Sequence, residues 1–517
     1  MKLSPLLGKL LRKPSSTHDV SWFLRAPRYK SFTRFNLDKL NSVLPGMMSD
    51  VKQSVQVSPE GKSIFLFASM HIWINHIVVT GLALHGWGHK VTIGYLPYGD
   101  FAKPLPDADL HHNYVYARAI LRKAEPLLRI VPFLDQTPIL PLPPALQKAV
   151  EQVTIFDTRY ILQKEEVIGT EPVFLLRQER NNTAAGQALA YLQSNRPDVA
   201  IIPNGMIQEY GAVYETARYL GIPVVTYEFG EQDQKIWIGQ NRWVIHHLID
   251  EVWDDRKNRV LSHEQKSWLE AFLSGRQKLD VGHQFAHLWQ KVERTGGGAI
   301  RDELGLDNRP ILLLPTNVLG DSATLGLSLV TSSMTEWLEK VLPFLATKSE
   351  IQVIIRIHPA EDRTVGPSVM EIIHTALPEL PPHMHLIGSS ENVNSYDLMD
   401  IADLGLVYTT TAGLEMSLLG IPVLASGKAH YRKKGFTLDA DSWDEYLRVL
   451  EKAIKSMPAR LKDDQVEIAW NYAYTFFAEY PLPFPWHLES LFRSLEKRPL
   501  QEVLNSTGRE KFGQAFK

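Results

Sequence analysis

A chain of 517 residues, 44% hydrophobic and 22% charged, can bury two α/β cores and exceeds what a single domain ordinarily holds. Its net charge of −3 provides no global field for a polyanion, so no nucleic-acid partner is expected. The absence of cysteine excludes disulfides, thiolate metal sites and a cysteine nucleophile.

Residues 1–60 read as a basic N-terminal segment. Lys2, Lys9, Arg12, Lys13, Arg25, Arg28, Lys30 and Arg34 stand against Asp19, with Leu6, Leu7, Leu10, Leu11, Trp22 and Phe23 interspersed. That mixture suits contact with an anionic membrane surface, and a solvated tail is its bland alternative. Lys9, Arg12 and Lys13 interrupt any signal-peptide core, and no span reaches the roughly 20 apolar residues of a membrane helix. The expected location is cytoplasmic, peripheral on the inner membrane face.

From Lys62 the pattern becomes strand, helix, strand: an apolar run over Ser63–Ala68, helical spacing of Ile74, Ile77, Val78, Gly81 and Leu82, then an apolar run over Val91–Leu96. Gly86-Trp87-Gly88-His89 falls where that helix ends, whereas a phosphate-binding glycine loop must open a helix, so it is read as a stop. Further strands are expected at Val153–Phe156, Val173–Leu176, Val199–Ile202 and Pro223–Tyr227, with a helix near Gln208–Leu220. Residues 61–242 thus form one Rossmann-like, doubly wound parallel domain, and 243–305 form a helical interdomain connection. A second such domain spans 306–440, with strands near Ile311–Leu314, Ile351–Ile357, Met384–Ile387, Leu404–Val407 and Pro422–Ala425. Residues 441–517 read as C-terminal helices and a tail. The expected architecture is two doubly wound α/β domains facing across a cleft.

Ligands of open parallel sheets sit beyond the carboxyl ends of the strands. In the second domain one strand ends in Arg356-Ile357-His358-Pro359, where proline holds the histidine in extended geometry and an imidazole can donate to a phosphate oxygen. Arg356 shares its face and can add charge there or pair with Glu361 or Asp362. Another strand ends in Tyr408 followed by Thr409, Thr410, Thr411, Ala412 and Gly413, hydroxyls and backbone N–H groups suited to a nucleotide phosphate. Glu415 lies in the first turn of the next helix, and with Ala412 three residues before it cannot close a capping box, which leaves its carboxylate for ribose hydroxyls or for a plain helix-dipole role. The loop Ser426–Thr437, with Lys428 and Arg432, reads as a basic segment able to close over a polyanionic donor or as a solvated loop. The turn after the first strand of this domain adds Asn317.

The run Tyr408-Thr-Thr-Thr-Ala-Gly-Leu-Glu-Met-Ser-Leu-Leu-Gly-Ile-Pro-Val-Leu-Ala-Ser-Gly resembles the donor-binding segment of GT-B glycosyltransferases. With His358-Pro359 and the His430-Tyr431-Arg432 to Gly435-Phe436-Thr437 stretch, it resembles the capsule polysaccharide biosynthesis family, which includes Kdo transferases using CMP-Kdo. The resemblance covers about residues 310–440. It implies a GT-B-like fold, phosphate contacts by His358 and Thr409 to Thr411, and ribose contact by Glu415. The implied partners are a nucleotide-sugar donor, CMP-Kdo among them, and a lipid-linked or polysaccharide acceptor. No other cofactor and no metal are implied, the leaving phosphate being neutralised by cations and helix N-termini.

The first domain is then expected to hold the acceptor and a general base; its strand ends offer Ser69-Met70-His71, Asn204-Gly205 and Glu228 to Asp233, and the base candidates among them are Glu228, Glu231 and His71. Glu228 is the leading candidate and His71 the second. The alternatives are a CDP-alditol phosphotransferase, a sugar-nucleotide 2-epimerase, and a non-catalytic GT-B scaffold of polysaccharide assembly.

Overall fold

The computed structural model describes residues 35–54, 61–277, 292–363 and 366–516. The basic residues Lys2 to Arg34 lie outside the described residues. Among the described residues no helix is long and apolar enough to cross a membrane. The chain divides into a first unit, comprising residues up to Ile161, Ile168–Val244 and Leu482 onward, and a second unit, comprising Leu162–Val167 and Ile245–Pro481.

The strands are β1 (Ser63–Ser69), β2 (Lys90–Leu96), β3 (Arg129–Pro132), β4 (Val199–Pro203), β5 (Val224–Glu228), β6 (Lys235–Gln240), β7 (Ile311–Pro315), β8 (Gln352–Arg356), β9 (Met384–Ile387), β10 (Leu404–Val407), β11 (Val423–Ala425) and β12 (Leu482–Pro483). The first unit's sheet runs β12-β6-β5-β4-β1-β2-β3. Its five strands from β5 to β3 are mutually parallel, and β6 and β12 are added antiparallel at one edge. β1 reads Ile-Phe-Leu-Phe-Ala without alternation because both faces are covered, and each of those residues is buried. Helix His71–Gly86 follows it, buried along most of its length, and stops at Trp87-Gly88, where Gly88 takes φ 99°.

Two expected strands are helices. Val153–Phe156 lies inside helix Pro144–Leu162, where Leu146, Val150, Val153 and Phe156 are buried at spacings of three and four residues. Val173–Leu176 opens helix Pro172–Ser194, in which Leu175 faces outward. Short apolar runs carry no periodicity of their own, and here the flanking spacing decides. Conversely, β3, β6 and β12 escape detection because they are short or sit at the polar edge of the sheet.

The segment 1–60 is more than a basic tail. Helix Asp38–Ser54 buries Leu40, Leu44, Met47 and Val51 in the first unit's core. Nor does the C-terminus stand apart: Trp486, Leu500, Leu504 and Phe516 pack into that same core, and Phe516 stacks on Trp87 at 5.7 Å.

The second unit's sheet, β11-β10-β7-β8-β9, is entirely parallel. Its Ile/Leu/Val-rich strands are buried against helices such as Met334–Ala346, whose Trp337, Leu338, Val341 and Leu342 face the core. That helix is capped twice: Ser333 Oγ accepts from Glu336 N at 3.0 Å, and the Glu165 carboxylate accepts from Met334 N at 2.8 Å and Thr335 N at 2.7 Å. Within 243–305 the described residues form helices Asp250–Asp254, His263–Gln277 and Gly297–Glu303, and from Ile245 onward they belong to the second unit. Leu269 is fully buried, and Arg259 Nη1 meets Glu479 Oε1 at 2.6 Å.

Candidate functional site

In the second unit β7 is central, with β8 and β9 on one side and β10 and β11 on the other. The strand order therefore reverses between β7 and β10, which is where a doubly wound sheet leaves a crevice for a ligand. The residues leaving β7 tie the neighbouring strand ends together. Thr316 Oγ1 accepts from His358 N at 3.1 Å, and Asn317 Oδ1 accepts from Thr409 N at 3.2 Å. Thus Asn317, His358 and Thr409 lie along one edge. The loop after β11 joins them through Lys428 N, which donates to Leu327 O at 2.7 Å, and through Val330 N, which donates to Ser426 O at 3.2 Å.

His358 is partly buried just beyond β8. Burial, with the Arg356 charge behind it, lowers its pKa to about 4, so the ring is neutral at pH 7. Ala360 N donates to Nδ1 at 3.1 Å, which places the ring proton on Nε2. A neutral imidazole with its proton on Nε2 is a hydrogen-bond donor for an anionic oxygen without a full charge of its own.

Thr410 and Thr411 are partly exposed while Thr409 is buried. Thr410 Oγ1 accepts from Ala412 N at 3.3 Å, and Thr411 makes no side-chain cap on helix Ala412–Leu418. Gly413 has a steric role: a Cβ there would lie 2.2 Å from Tyr431 Oη, the hydroxyl that crosses it to donate to Thr410 O at 2.6 Å. Gly413 thus lets Tyr431 pin the threonine turn.

Glu415 is buried and ion-paired, its Oε1 lying 3.1 Å from Arg276 Nη2. Arg276 lies over the Phe477 ring at 5.2 Å, in the π-helical turn Thr475–Glu479. The sequence reading missed Arg276, which lies over a hundred residues from Glu415 in a stretch that read as a connection.

Two expected donor-binding cations are committed elsewhere. Arg356 is buried and holds the turn after β9, its guanidinium donating to Gly388 O and, at 3.1 Å, to Val393 O. Arg432 is buried against Asp439 and Asp441, at 3.4 and 3.3 Å, and donates to Ala440 O at 2.6 Å. Lys433 pairs with Asp441 at 2.6 Å and Lys434 with Asp250. Arg432 and Lys433 of the loop Ser426–Thr437 are therefore held by acids that follow within a few residues, and Lys434 by an acid distant in sequence. Lys428 is exposed.

The first unit repeats the topology: β1 is central, β2 and β3 lie on one side, and β4 and β5 on the other. Its crevice edge, beyond β1 and β4, carries strained backbone. Met70, Asn204 and Gln208 take φ of 67°, 55° and 55°, and Gly205 takes 83°. Beneath it lies a buried polar chain. Ser69 Oγ donates to Glu209 Oε2 at 2.8 Å, Arg177 donates to Glu209 Oε1 at 2.7 Å and to Asp157 Oδ2 at 2.5 Å, and Asn181 donates to Asp157 at 3.1 Å. Burial alone would raise the Glu209 carboxyl, but Arg177 and Arg180 outweigh it and hold the group below its ordinary range.

Glu228 ends β5 on this edge and is partly buried. Burial raises its pKa to about 7, opposed by Phe229 N, which donates to Oε1 at 3.2 Å, and by Asn204 Nδ2, which donates to Oε2 at 3.3 Å. A carboxyl poised near neutrality has the proton affinity of a general base. His71 opens the helix after β1, two strands away, with burial lowering its pKa and Nδ1 lacking a hydrogen-bond partner among the described residues. Glu231 lies in the β5–β6 turn, which His487 Nε2 anchors at 3.1 Å from Gly230 O.

Two doubly wound parallel α/β units, each with polar side chains gathered where its strand order reverses, define a two-unit α/β protein with the ingredients of a GT-B-like fold. Residues 270–463 match the family described as "Capsule polysaccharide biosynthesis protein". The match spans Arg276, Asn317, His358, Thr409 to Thr411 and Glu415. No curated protein matches the chain. Among solved structures it is similar to a KpsC β-Kdo 2,4 transferase of Thermosulfurimonas dismutans, with 14% identity, 56% of this chain and 82% of that one covered, and a TM-score of 0.35. It is also similar to a putative UDP-N-acetylglucosamine 2-epimerase of Listeria monocytogenes, with 13% identity, 80% and 94% covered, and a TM-score of 0.26.

Proposed function

We propose that the protein is a glycosyltransferase of capsular or related surface polysaccharide synthesis, moving a sugar from a nucleotide donor to a lipid-linked or growing glycan. The observation that carries this reading is the meeting of Asn317, His358 and the threonine turn at the second unit's switch point, inside the family match. In the proposed mechanism His358 Nε2–H and the turn Thr409 to Thr411 hold the donor phosphate, Lys428 adds positive charge, and Glu415, oriented by Arg276, receives the ribose hydroxyls. The first unit holds the acceptor, and Glu228 takes the proton of the attacking hydroxyl, with His71 the second candidate. As the glycosidic bond forms, the bond from the anomeric carbon to the phosphate oxygen breaks and the nucleotide leaves with its phosphate. We place this activity on the cytoplasmic side, at the membrane that carries the acceptor.

Product analysis tests the proposal. The purified chain is incubated with CMP-Kdo and with UDP-, GDP- and dTDP-sugars, each with and without a glycolipid acceptor. Acceptor-dependent nucleotide release with a product heavier by one sugar is the expected result. A CDP-alditol that yields a product retaining a phosphodiester identifies a phosphotransferase, and conversion of donor without acceptor identifies an epimerase. No turnover in any arm leaves a scaffold.

A further inference from the structure

The strained turn after β4 has a chemical consequence that the motif residues do not reveal. Asn204 sits in the left-handed region at φ 55°, a conformation that asparagine tolerates better than most side chains. Its side chain is fixed at both ends. Oδ1 accepts from Met206 N at 3.0 Å, which determines the orientation of the amide, so Nδ2 is the end that reaches Glu228 Oε2 at 3.3 Å. Its backbone is fixed too, since Asn204 N donates to Tyr227 O at 2.9 Å, one residue before Glu228. Gly205 follows at φ 83°, where a Cβ would lie 2.5 Å from Thr226 Cγ2, so the turn is pressed onto β5.

The geometry points to Asn204 as the positioning residue for Glu228: a locked amide clamps one carboxylate oxygen while Phe229 N holds the other, leaving their remaining lone pairs for an acceptor hydroxyl. This rests on Glu228 being the proton acceptor of the first unit. The clamp also favours the ionised form, because both bonds are donated to the carboxylate and burial works against them. The titratable groups facing Glu228 are the buried phenols of Tyr210, on the helix after β4, and Tyr227, on β5. Both are pushed well above their ordinary range, by burial first, and so stay neutral through the relevant pH window.

The test titrates Glu228 in the intact chain by infrared spectroscopy, following the protonated carboxyl band that disappears in Glu228→Gln. Asn204→Asp puts a second carboxylate against Oε2, and Asn204→Gly removes the amide while accommodating the left-handed backbone. The expected result is a midpoint raised by about one pH unit in Asn204→Asp, as for two carboxylates sharing a site, with a smaller rise in Asn204→Gly. Should Asn204→Asp fail to fold, Asn204→Gly decides alone. A midpoint unmoved in the folded variants, or no band lost in Glu228→Gln, overturns the proposal. The titration needs no substrate, so it reads the clamp even if no transfer activity is found. Where transfer is measured, the acidic limb of its pH profile moves with the infrared midpoint.

Discussion

The two units place polar residues at equivalent topological points and hold them by different means. At the second unit's switch point the strand ends are stitched by hydrogen bonds between neighbouring loops, and Asn317, His358 and Thr409 all keep negative φ. At the first unit's switch point, Met70, Asn204 and Gln208 hold sparsely populated conformations over a buried Glu209–Arg177–Asp157 chain. Strain of this kind survives only where surrounding structure imposes it, and it gathers where reacting groups must be aimed. The contrast supports a division of labour, with donor binding in the second unit and proton transfer in the first.

Substitutions can break that division. The largest expected effect is from Arg177→Met, which leaves Glu209 and Asp157 as buried, unpaired carboxylates. A stability loss of about 3–5 kcal/mol by urea denaturation is expected, with the Ser69–Glu209 edge disordered. Glu228→Gln is expected to lower the transfer rate by roughly 10²–10⁴-fold while nucleotide affinity is unchanged. Equal loss of affinity and rate would contradict the separation. The same substitution changes stability against pH. Glu228 is raised above its unfolded value, so its contribution is full below the ordinary carboxylate range and is lost as pH rises through about 7. Glu228→Gln should flatten that decline in thermal melts taken from the ordinary carboxylate range up to about pH 7.

Gly413→Ala drives a methyl group into Tyr431 Oη and is expected to cost about 1–3 kcal/mol, with a double substitution Gly413→Ala, Tyr431→Phe recovering part of it. Full loss in both would show that the helix backbone, rather than the hydroxyl, is what fails. The smallest effect sharpens the reading of the basic loop. Lys433 rests on Asp441, so Lys433→Ala should change stability by less than about 1 kcal/mol and leave nucleotide affinity alone, whereas Lys428→Ala should weaken it.

The strands of the second unit were legible because each buried run is bounded by turn residues and followed by a polar or helical stretch, as in Leu404–Val407 before Tyr408 and the threonines. The helices containing Val153–Phe156 and Val173–Leu176 were not, since a run of four residues carries too little period to outweigh a β-rich composition. His358, Thr409 and Asn317 were legible as strand-end residues of one sheet, although only the strand order shows that Asn317 stands between the other two. Arg432 was misjudged because charge along the chain says nothing of the acids that fold back on it, here Asp439 and Asp441. Arg276 and Arg177 lay beyond reach, since each acts through a partner distant in sequence, whereas Asn204 was legible as a strand-end residue but its left-handed backbone and its bond to Glu228 were not.

The most direct test of the central claim is thermal stabilisation of the full chain by CMP, CDP, UDP, GDP and dTDP, compared with His358→Ala and Glu415→Ala on one side and Glu228→Gln on the other, since a ligand that binds only the folded state raises its melting temperature. The account predicts stabilisation by at least one nucleotide, lost in His358→Ala and Glu415→Ala and retained in Glu228→Gln. No response to any of the five, or a response indifferent to His358, would contradict a donor site at the second unit's switch point.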